Sequence, residues 1–454
     1  MIQVPGPKAM SYVARDSHVV SPSYTRGYPF VMAKGRGVEV WDVDGNRYLD
    51  FSSGVAVTST GHCHPEVVRA IKEQVDKFLH MSGTDFYYPV QIELAEYLAR
   101  VSPMSEPTQV FFTNSGAESV EAAVKLAMYA TKRPYFIAFY GGFHGRTMGA
   151  LAFTASKPVQ RGSFLPVMPP VIHVPYPNPY RPLLCALDPD EGIAVMRYIE
   201  ETVLGCKLPP KEVAAVLVEP IQGEGGYVVP PPSFFPALRE LCDRYGILLI
   251  VDEVQSGMGR TGKCFAIEHE GVEPDIIAVA KGIASGMPLG AMIARRSLMT
   301  WPAGAHASTF GGNPVSCAAA LATLHLLENG MMDNATRMGE YLLTGLQQLM
   351  DFHPTIGDVR GRGLMIGVEL IKDRMTQVRA KELRGRVVNH AFREGLLLLG
   401  AGPNTIRFVP PLNVERAHID EALEIFDGVL AAEEASLGIE EAYAEPMAEY
   451  DLNK

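Results

Sequence analysis

Ile247-Leu-Leu-Ile-Val-Asp252 and Ile276-Ile-Ala-Val-Ala-Lys281 are the two stretches that decide the fold of this 454-residue chain. Each is a short apolar run without polar alternation, and each ends on a charged side chain. Such runs predict strands covered on both faces, as in a mostly parallel sheet flanked by helices. Ligands of open α/β sheets bind beyond the carboxyl ends of the strands, so Asp252 and Lys281 are expected at a functional edge.

Four further apolar runs alternate with helical segments between about residues 105 and 300. They are Gln109-Val-Phe-Phe, Tyr135-Phe-Ile-Ala-Phe, Val213-Ala-Ala-Val-Leu-Val and Ala291-Met-Ile-Ala. This alternation predicts an α/β domain.

Both ends of the chain differ from this central pattern. Alternating residues around Asp44-Gly45 predict a hairpin over Val38–Phe51. After a long helical stretch over Pro314–Phe352, a second α/β unit is predicted from Val359, with strands near 396–399 and 406–409. Because the hairpin has no evident partner in the central region, we expect both chain ends to build one smaller domain. The expected division is 1–60 and 326–432 for the smaller domain, 61–325 for the large domain and 433–454 for an acidic tail.

Composition excludes several classes of protein. The apolar fraction of 47% and charged fraction of 20% are those of an ordinary globular protein. A formal net charge of -11 argues against binding to duplex nucleic acid. No apolar run is long enough to predict a membrane span, and the N-terminus lacks the layout of a signal peptide, so a cytoplasmic location is expected. Six dispersed cysteines predict reduced thiols, and the run His62-Cys63-His64 is not expected to bind a metal.

Three motifs follow predicted strands. In Phe112-Thr-Asn-Ser115-Gly116-Ala117, small residues open a helix whose N–H groups favour a phosphate, although a simple helix cap would look the same. In Phe139-Tyr-Gly-Gly-Phe143-His144, an aromatic ring among glycines suits either a stacking platform for a flat ring or a packed loop.

The third motif is the carboxylate pair Asp252-Glu253. A carboxylate at the end of an apolar strand must meet a cation or a metal, or remain protonated. A magnesium site of a nucleotide hydrolase would need a glycine-rich Gly-Lys-Ser or Gly-Lys-Thr loop, which the sequence lacks. The competing interpretation pairs Asp252 with a protonated ring nitrogen that makes the ring an electron sink.

Lys281 completes the set. A lysine at a strand end can simply cap the strand, but a desolvated lysine has a lowered pKa and becomes a nucleophilic amine. Together, a phosphate cradle, a ring platform, a ring-nitrogen carboxylate and this lysine describe a pocket for pyridoxal 5'-phosphate.

From about Gly35 to Leu412, the chain resembles the class III pyridoxal-phosphate aminotransferases, which include 4-aminobutyrate, ornithine and acetylornithine aminotransferases. The resemblance rests on a series of motifs in a fixed order. They are Asn114-Ser-Gly-Ala-Glu118, Gly142-Phe-His-Gly-Arg-Thr147, Glu219-Pro-Ile-Gln-Gly-Glu224, Val251-Asp-Glu-Val-Gln255, Gly259-Arg-Thr-Gly262, Ala280-Lys-Gly282, Ser308-Thr-Phe-Gly-Gly-Asn-Pro314 and Ile406-Arg-Phe-Val-Pro-Pro-Leu412.

The resemblance implies fold type I, with a mostly parallel seven-stranded sheet in the large domain and a smaller α/β domain from both chain ends. It implies that Lys281 forms the Schiff base with the cofactor and moves the proton, while Asp252 holds the ring nitrogen. The remaining residues implied to bind the cofactor are Ser115, Gly116, Ala117, Phe143, His144, Glu219, Val254, Gln255 and, from a neighbouring subunit, Thr309. The active unit would therefore be a homodimer, with pairing into tetramers left open.

For the substrate, the resemblance implies that Arg407 clamps a carboxylate and that Glu224 neutralises this arginine when an amine without a nearby carboxylate binds. Val55 aligns with a specificity position that is aromatic in ornithine aminotransferases and aliphatic in 4-aminobutyrate aminotransferases. The valine therefore favours a 4-aminobutyrate-like donor. Tyr24 is a further candidate for contact with the substrate. The expected acceptor is a 2-oxo acid such as 2-oxoglutarate. A racemase or epimerase on the same fold is the alternative, and it would need a second acid that the sequence does not identify.

Overall fold

A computed structural model describes residues 4–162, 164 and 167–437 of the chain. Its strands, numbered in chain order, are β1 Met32–Arg36, β2 Glu39–Asp42, β3 Arg47–Asp50, β4 Thr108–Thr113, β5 Tyr135–Phe139, β6 Val171–Val174, β7 Val213–Val218, β8 Leu248–Asp252, β9 Ile276–Val279, β10 Gly290–Arg295, β11 Ile356–Arg362, β12 Met365–Leu370, β13 Leu396–Leu397, β14 Leu399–Ala401 and β15 Thr405–Phe408.

The helices are α1 Pro7–Val19, α2 Ser53–Ala56, α3 Pro65–Val75, α4 Pro89–Val101, α5 Gly116–Thr131, α6 Met148–Phe153, α7 Glu191–Arg197, α8 Phe234–Tyr245, α9 Pro314–Leu326, α10 Met332–Phe352, α11 Lys381–Arg393 and α12 Arg416–Ser436. Wider, π-helical turns extend α7 over Tyr198–Lys207 and join α9 to α10 over Leu327–Met331.

The central sheet has seven strands in the order β4-β10-β9-β8-β7-β5-β6. The contacts between β6, β5, β7, β8 and β9 are all parallel, whereas β10 runs antiparallel to both of its neighbours. Residues of β7 and β9 are all buried, as the absence of polar alternation predicted. The expected mostly parallel seven-stranded sheet is therefore confirmed.

Two smaller sheets lie outside the central one. β2 and β3 form the predicted hairpin, with Val40 opposite Tyr48. β3 also pairs in parallel with β13, so strands from the two chain ends share one sheet in the order β1-β2-β3-β13. The third sheet has the order β11-β12-β15-β14. The domain boundaries at 60, 325 and 432 stay predictions.

Three details differ from the sequence-based expectations. The helical stretch over Pro314–Phe352 is interrupted, because Asn329 and Gly330 have non-helical dihedral angles and Gly330 has φ 118°. The single strand expected near 396–399 is two strands, β13 and β14, which belong to different sheets. The expected tail begins inside α12, and residues 438–454 of it lie outside the described residues.

Among the described residues, no helix has both the length and the apolar character needed to cross a membrane.

Candidate active site

The loops that follow β4, β5, β7, β8 and β9 converge on one cavity of about 420 Å³. This placement follows from the parallel strands, whose carboxyl ends meet at one edge of the sheet. Eleven of the residues predicted for the site line the cavity: Ser115, Gly116, Ala117, Phe143, His144, Glu219, Glu224, Asp252, Val254, Gln255 and Lys281.

The start of α5 forms an anion pocket in one wall of the cavity. Ser115 caps the helix, and its Oγ accepts a hydrogen bond from Glu118 N at 3.3 Å. The N–H groups of Gly116 and Ala117 lie in the first turn, where no intrahelical acceptor is available, so they are free to bind an anion. Gly116 also has to be small, because a Cβ there would lie 2.7 Å from Cγ1 of Val254.

Asp252, at the end of β8, is held in one orientation by two donors. Nδ1 of the buried His144 donates to Asp252 Oδ2 at 2.7 Å, and Val254 N donates to Oδ1 at 3.0 Å. Burial alone would lower the pKa of His144, but its hydrogen bond to Asp252 and the charges of Asp252 and Glu219 outweigh burial and raise that pKa. The carboxyl group of Asp252 is thus fixed in one orientation at the cavity wall.

Glu219 fastens two of the loops around the cavity. Its carboxylate accepts from Phe143 N at 3.0 Å and from Gly223 N at 2.8 Å. Burial, opposed by His144 and assisted by Asp252, raises the pKa of Glu219. Glu219 therefore positions the loop that carries the ring of Phe143.

Lys281 begins a short 3₁₀ turn, Lys281–Ala284, directly after β9 and Ala280. Its backbone has φ 47°, a conformation that is costly for a residue with a side chain and is typical of functional sites. Burial lowers the pKa of the Lys281 ammonium; Asp252 opposes this shift and Arg407 adds to it. A larger share of the amine is therefore unprotonated than in an exposed lysine.

The remaining walls fit a flat heteroaromatic ring that carries a phosphate. Phe143 and Val254 are apolar lining residues, and Oε1 of Gln255 is buried without a hydrogen-bond partner in the described structure. Such an orphaned acceptor fits a ring hydroxyl, which would donate to it. With the α5 pocket and Asp252, the cavity offers a partner for each polar edge of pyridoxal phosphate.

Glu253, next to Asp252, belongs to a different environment. It is fully buried, accepts from Ser256 Oγ at 2.6 Å and from Ile267 N at 2.8 Å, and does not line the cavity. Burial raises the pKa of Glu253 to about 7. Among the described residues, no group of three or more His, Cys, Asp or Glu side chains is placed to hold a metal ion.

Arg407, on β15, lies behind Glu224 and is not itself a lining residue. Its Nη2 donates to Glu224 Oε2 at 3.3 Å, while the other carboxylate oxygen, Oε1, accepts from Lys157 Nζ. Burial alone would raise the pKa of Glu224, but Arg407 and Lys157 hold it below its usual range. Glu224 is therefore ionised and shared between two cations.

Three predicted site residues lie apart from the cavity. Tyr24 is 62% exposed and faces the guanidinium of Arg26, and Thr309 is also exposed. Val55 lies in α2, a left-handed turn whose four residues all have positive φ, while its neighbour Val57 lines the cavity instead.

The sequence did not identify two cations of the site. Arg146 lines the cavity beside Phe143, with its guanidinium 5.5 Å from the ring centroid. Arg146 lies within the Gly142–Thr147 motif, and this position could have indicated a role in the site. Lys157 had no such signal, because its contact with Glu224 spans 67 residues.

A larger cleft, of about 770 Å³, lies between α1 and the segment that follows it. It contains none of the predicted site residues, so the chemistry is assigned to the smaller cavity.

Comparison with known proteins connects this geometry to a family. The family described as "Aminotransferase class-III" matches residues 20–430. An acetylornithine aminotransferase of Methanopyrus kandleri is 44% identical, over 90% of this chain and 96% of its own. An alanine/serine racemase of Pyrococcus horikoshii is 41% identical (94% and 91%), and a 4-aminobutyrate aminotransferase of Mycobacterium tuberculosis is 40% identical (94% and 97%).

Among solved structures, the chain is similar to an amine transaminase from an uncultivated Pseudomonas species in its pyridoxal-phosphate-bound form. The TM-score is 0.84 at 32% identity, over 91% of this chain and 98% of the other.

Proposed function

We propose a substrate pair for this chain, which belongs to the class III aminotransferase family. It moves an amino group from an ω-amino acid resembling 4-aminobutyrate to a 2-oxo acid such as 2-oxoglutarate. The main observation that supports this proposal is the ion pair of Arg407 and Glu224 at the cavity. Arg407 can bind a substrate carboxylate, and Glu224 can neutralise Arg407 when no such carboxylate is present.

The protein is a pyridoxal-phosphate-dependent aminotransferase. When bound, pyridoxal phosphate accepts the electron pair released as a proton leaves the amino-bearing carbon of the substrate. Lys281 is proposed to take that proton on Nζ, because its lowered pKa leaves the amine free to act as a base. Asp252, oriented by His144, would hold the protonated ring nitrogen of the cofactor.

Different residues would hold the different polar groups of the cofactor. The α5 pocket of Ser115, Gly116 and Ala117 suits the phosphate, Gln255 Oε1 the ring hydroxyl, and Asp252 the ring nitrogen. Glu219 contributes indirectly, by fixing the backbone of Phe143.

Two arginines support a substrate pair with carboxylates at different distances from the reacting carbon. Arg407 has unpaired, buried Nε and Nη1 groups within the described structure, which suit a carboxylate next to that carbon. Arg146 lines the cavity and can meet a second carboxylate. A 2-oxo diacid would use both arginines, whereas an ω-amino acid would use one and leave the other paired with Glu224.

The active unit is proposed to be a homodimer, with Thr309 reaching the phosphate in the neighbouring site. Its exposure in a single chain is what such a role requires.

A donor panel tests the proposed substrate. 4-Aminobutyrate, ornithine, acetylornithine, β-alanine and a simple amine would each be incubated with 2-oxoglutarate, and glutamate formation would be measured. We expect 4-aminobutyrate to give the highest kcat/KM. A preference for acetylornithine or ornithine by tenfold or more, about 1.4 kcal/mol, would overturn the assigned donor.

Racemisation is the second candidate, because an alanine/serine racemase is among the close relatives. It needs an acid besides Lys281 to reprotonate the opposite face of the substrate carbon. Of the three described carboxyl groups that line the cavity, Asp252 and Glu219 are assigned to the cofactor and its loop, which leaves Glu224 as the candidate acid. The pKa of Glu224 is held low, so it is a poor acid at neutral pH. This favours transamination.

Incubation with a single enantiomer of alanine or serine, with and without 2-oxoglutarate, separates the two activities. We expect the enantiomer to persist without a keto acid. Loss of optical rotation in its absence would make racemisation the main activity.

A further inference from the structure

Glu224 lies between two cations from distant parts of the chain. Oε1 accepts from Nζ of Lys157, which immediately precedes the short turn Pro158–Gln160, and Oε2 accepts from Nη2 of Arg407 on β15. One carboxylate therefore serves both a lysine near α6 and the arginine proposed to clamp the substrate.

The contact of Glu224 with Arg407 is incomplete. Only Nη2 of Arg407 is engaged, at 3.3 Å, whereas charge-assisted pairs of arginine and carboxylate typically measure about 2.7–2.9 Å and are often bidentate. Nε and Nη1 of Arg407 are buried without a partner in the described residues. The pull of Lys157 on the other carboxylate oxygen accounts for this geometry, because the two cations compete for one anion.

Glu224 cannot leave Arg407 simply by taking up a proton, because both cations stabilise its ionised form. The Glu224 side chain is only 16% exposed, and an anion largely removed from water is costly without a partner. Glu224 must therefore keep a cation when a substrate carboxylate binds Arg407. Lys157 supplies that cation. Its side chain is 37% exposed and has a flexible stem, so it can follow the carboxylate as it moves.

The local charge supports the same role. Arg384, on α11, lies within electrostatic range of Glu224 and Arg407, and none of its side-chain nitrogens donates to a carboxylate in the described structure. Burial lowers the pKa of Arg384, as expected for a cation without a close anion. Four cations, Lys157, Arg407, Lys281 and Arg384, thus act on the one carboxylate of Glu224. An incoming substrate carboxylate would meet this excess of positive charge.

We propose that Lys157 is a specificity-determining residue that holds Glu224 away from Arg407 while Arg407 binds a substrate carboxylate. This inference rests on the proposed function, because it takes Arg407 as the carboxylate clamp. Lys157 would act through Glu224 and is a positioning residue.

The test compares Lys157→Met with Lys157→Arg in the holoenzyme. Without a cation at 157, Glu224 pairs fully with Arg407, so we expect KM for 2-oxoglutarate to rise roughly tenfold with a smaller change in kcat. KM for an amine donor without a nearby carboxylate should stay within about twofold, because that donor leaves the Glu224 and Arg407 pair closed. Lys157→Arg should restore the wild-type KM for 2-oxoglutarate.

Binding of 2-hydroxyglutarate, which has the carboxylates but no group that reacts, gives a readout independent of turnover. Calorimetry should show a dissociation constant about tenfold higher for Lys157→Met and unchanged for Lys211→Met. Lys211 is an exposed lysine just before β7, at the opposite edge of the sheet, and serves as the matched control.

The outcomes separate the two proposals. If wild-type protein transfers no amino group, the proposed function fails, and 2-hydroxyglutarate binding still tests Lys157. If wild-type protein is active but Lys157→Met keeps wild-type KM and binding, the role of Lys157 is wrong. Equal weakening for the amine and the diacid would also overturn it, because a general loss of site structure predicts that pattern.

Discussion

Asp252 and Glu253 are adjacent carboxylates with opposite surroundings. Asp252 lines the cavity and accepts from a histidine, whereas Glu253 is turned into the core and accepts from Ser256 and Ile267. Successive residues at a strand end project to opposite sides, so the pair divides into one functional and one structural acid.

Replacement of each acid by its amide tests this division. Asp252→Asn should lower kcat by on the order of 10²-fold or more, because it removes a preorganised charge at the reacting ring. Glu253→Gln is the matched control, and its kcat should stay within about twofold, with the cost confined to stability. Steady-state kinetics and thermal unfolding of both variants give the comparison. Equal losses of kcat would contradict the separation of roles.

The sequence could predict those site residues that directly follow apolar strands, since strand ends meet at one sheet edge. It therefore predicted that Ser115, Asp252 and Lys281 would lie close together, and all three line one cavity. Lys157 could not be predicted, because its position depends on how a loop between α6 and β6 folds back onto the loop after β7. Residue type and local spacing contain no information on such a contact.

Strands were predicted best where every residue is apolar. β7 and β9 were predicted because both of their faces are buried. β6 was not predicted, because His173 interrupts the apolar run of its sequence, Val-Ile-His-Val. The antiparallel direction of β10 was not predicted, because an apolar pattern reports burial and not strand direction. The split of residues 396–401 between two sheets likewise depends on long-range pairing.

His353, directly after α10, links this helix to α12 by two hydrogen bonds. Its ring donates to Asp427 at 2.7 Å and to Glu434 at 2.8 Å. Burial alone would lower the pKa of His353, but the two carboxylates outweigh burial and raise it from 6.5 to about 9. A raised pKa in the folded state stabilises the fold fully below pH 6.5, and that stabilisation is lost as the pH rises through 9.

We therefore expect the free energy of unfolding to fall by up to about 3 kcal/mol between pH 6 and pH 10 through this group. His353→Asn should be less stable at neutral pH and should lack this part of the fall. Denaturant unfolding of both proteins at several pH values measures the difference. A gap between them that widens toward pH 10 would contradict the assignment.

At the scale of the whole molecule, the proposed site needs two chains. Thr309 would complete the phosphate pocket of the neighbouring subunit, so Thr309→Ala should raise the dissociation constant of pyridoxal phosphate roughly tenfold through loss of a charge-assisted hydrogen bond. Fluorescence titration of the apoenzyme with the cofactor measures this constant.

Mixed dimers give a sharper check. In a dimer of Lys281→Ala with Thr309→Ala, one site has both defects and the other has neither. At limiting cofactor, refolded mixtures should therefore regain activity that neither parent shows. If activity follows the weighted mean of the parents, each site is built from one chain only.

Lys281 is proposed to be the amine that binds the cofactor. Borohydride reduction of the pyridoxal-phosphate-loaded protein, followed by peptide mass spectrometry, locates the covalent link directly. We predict a single phosphopyridoxyl group, on Lys281, and none in Lys281→Ala. A group on Lys157 or another lysine, or no stable adduct in the wild-type protein, would contradict this role of Lys281.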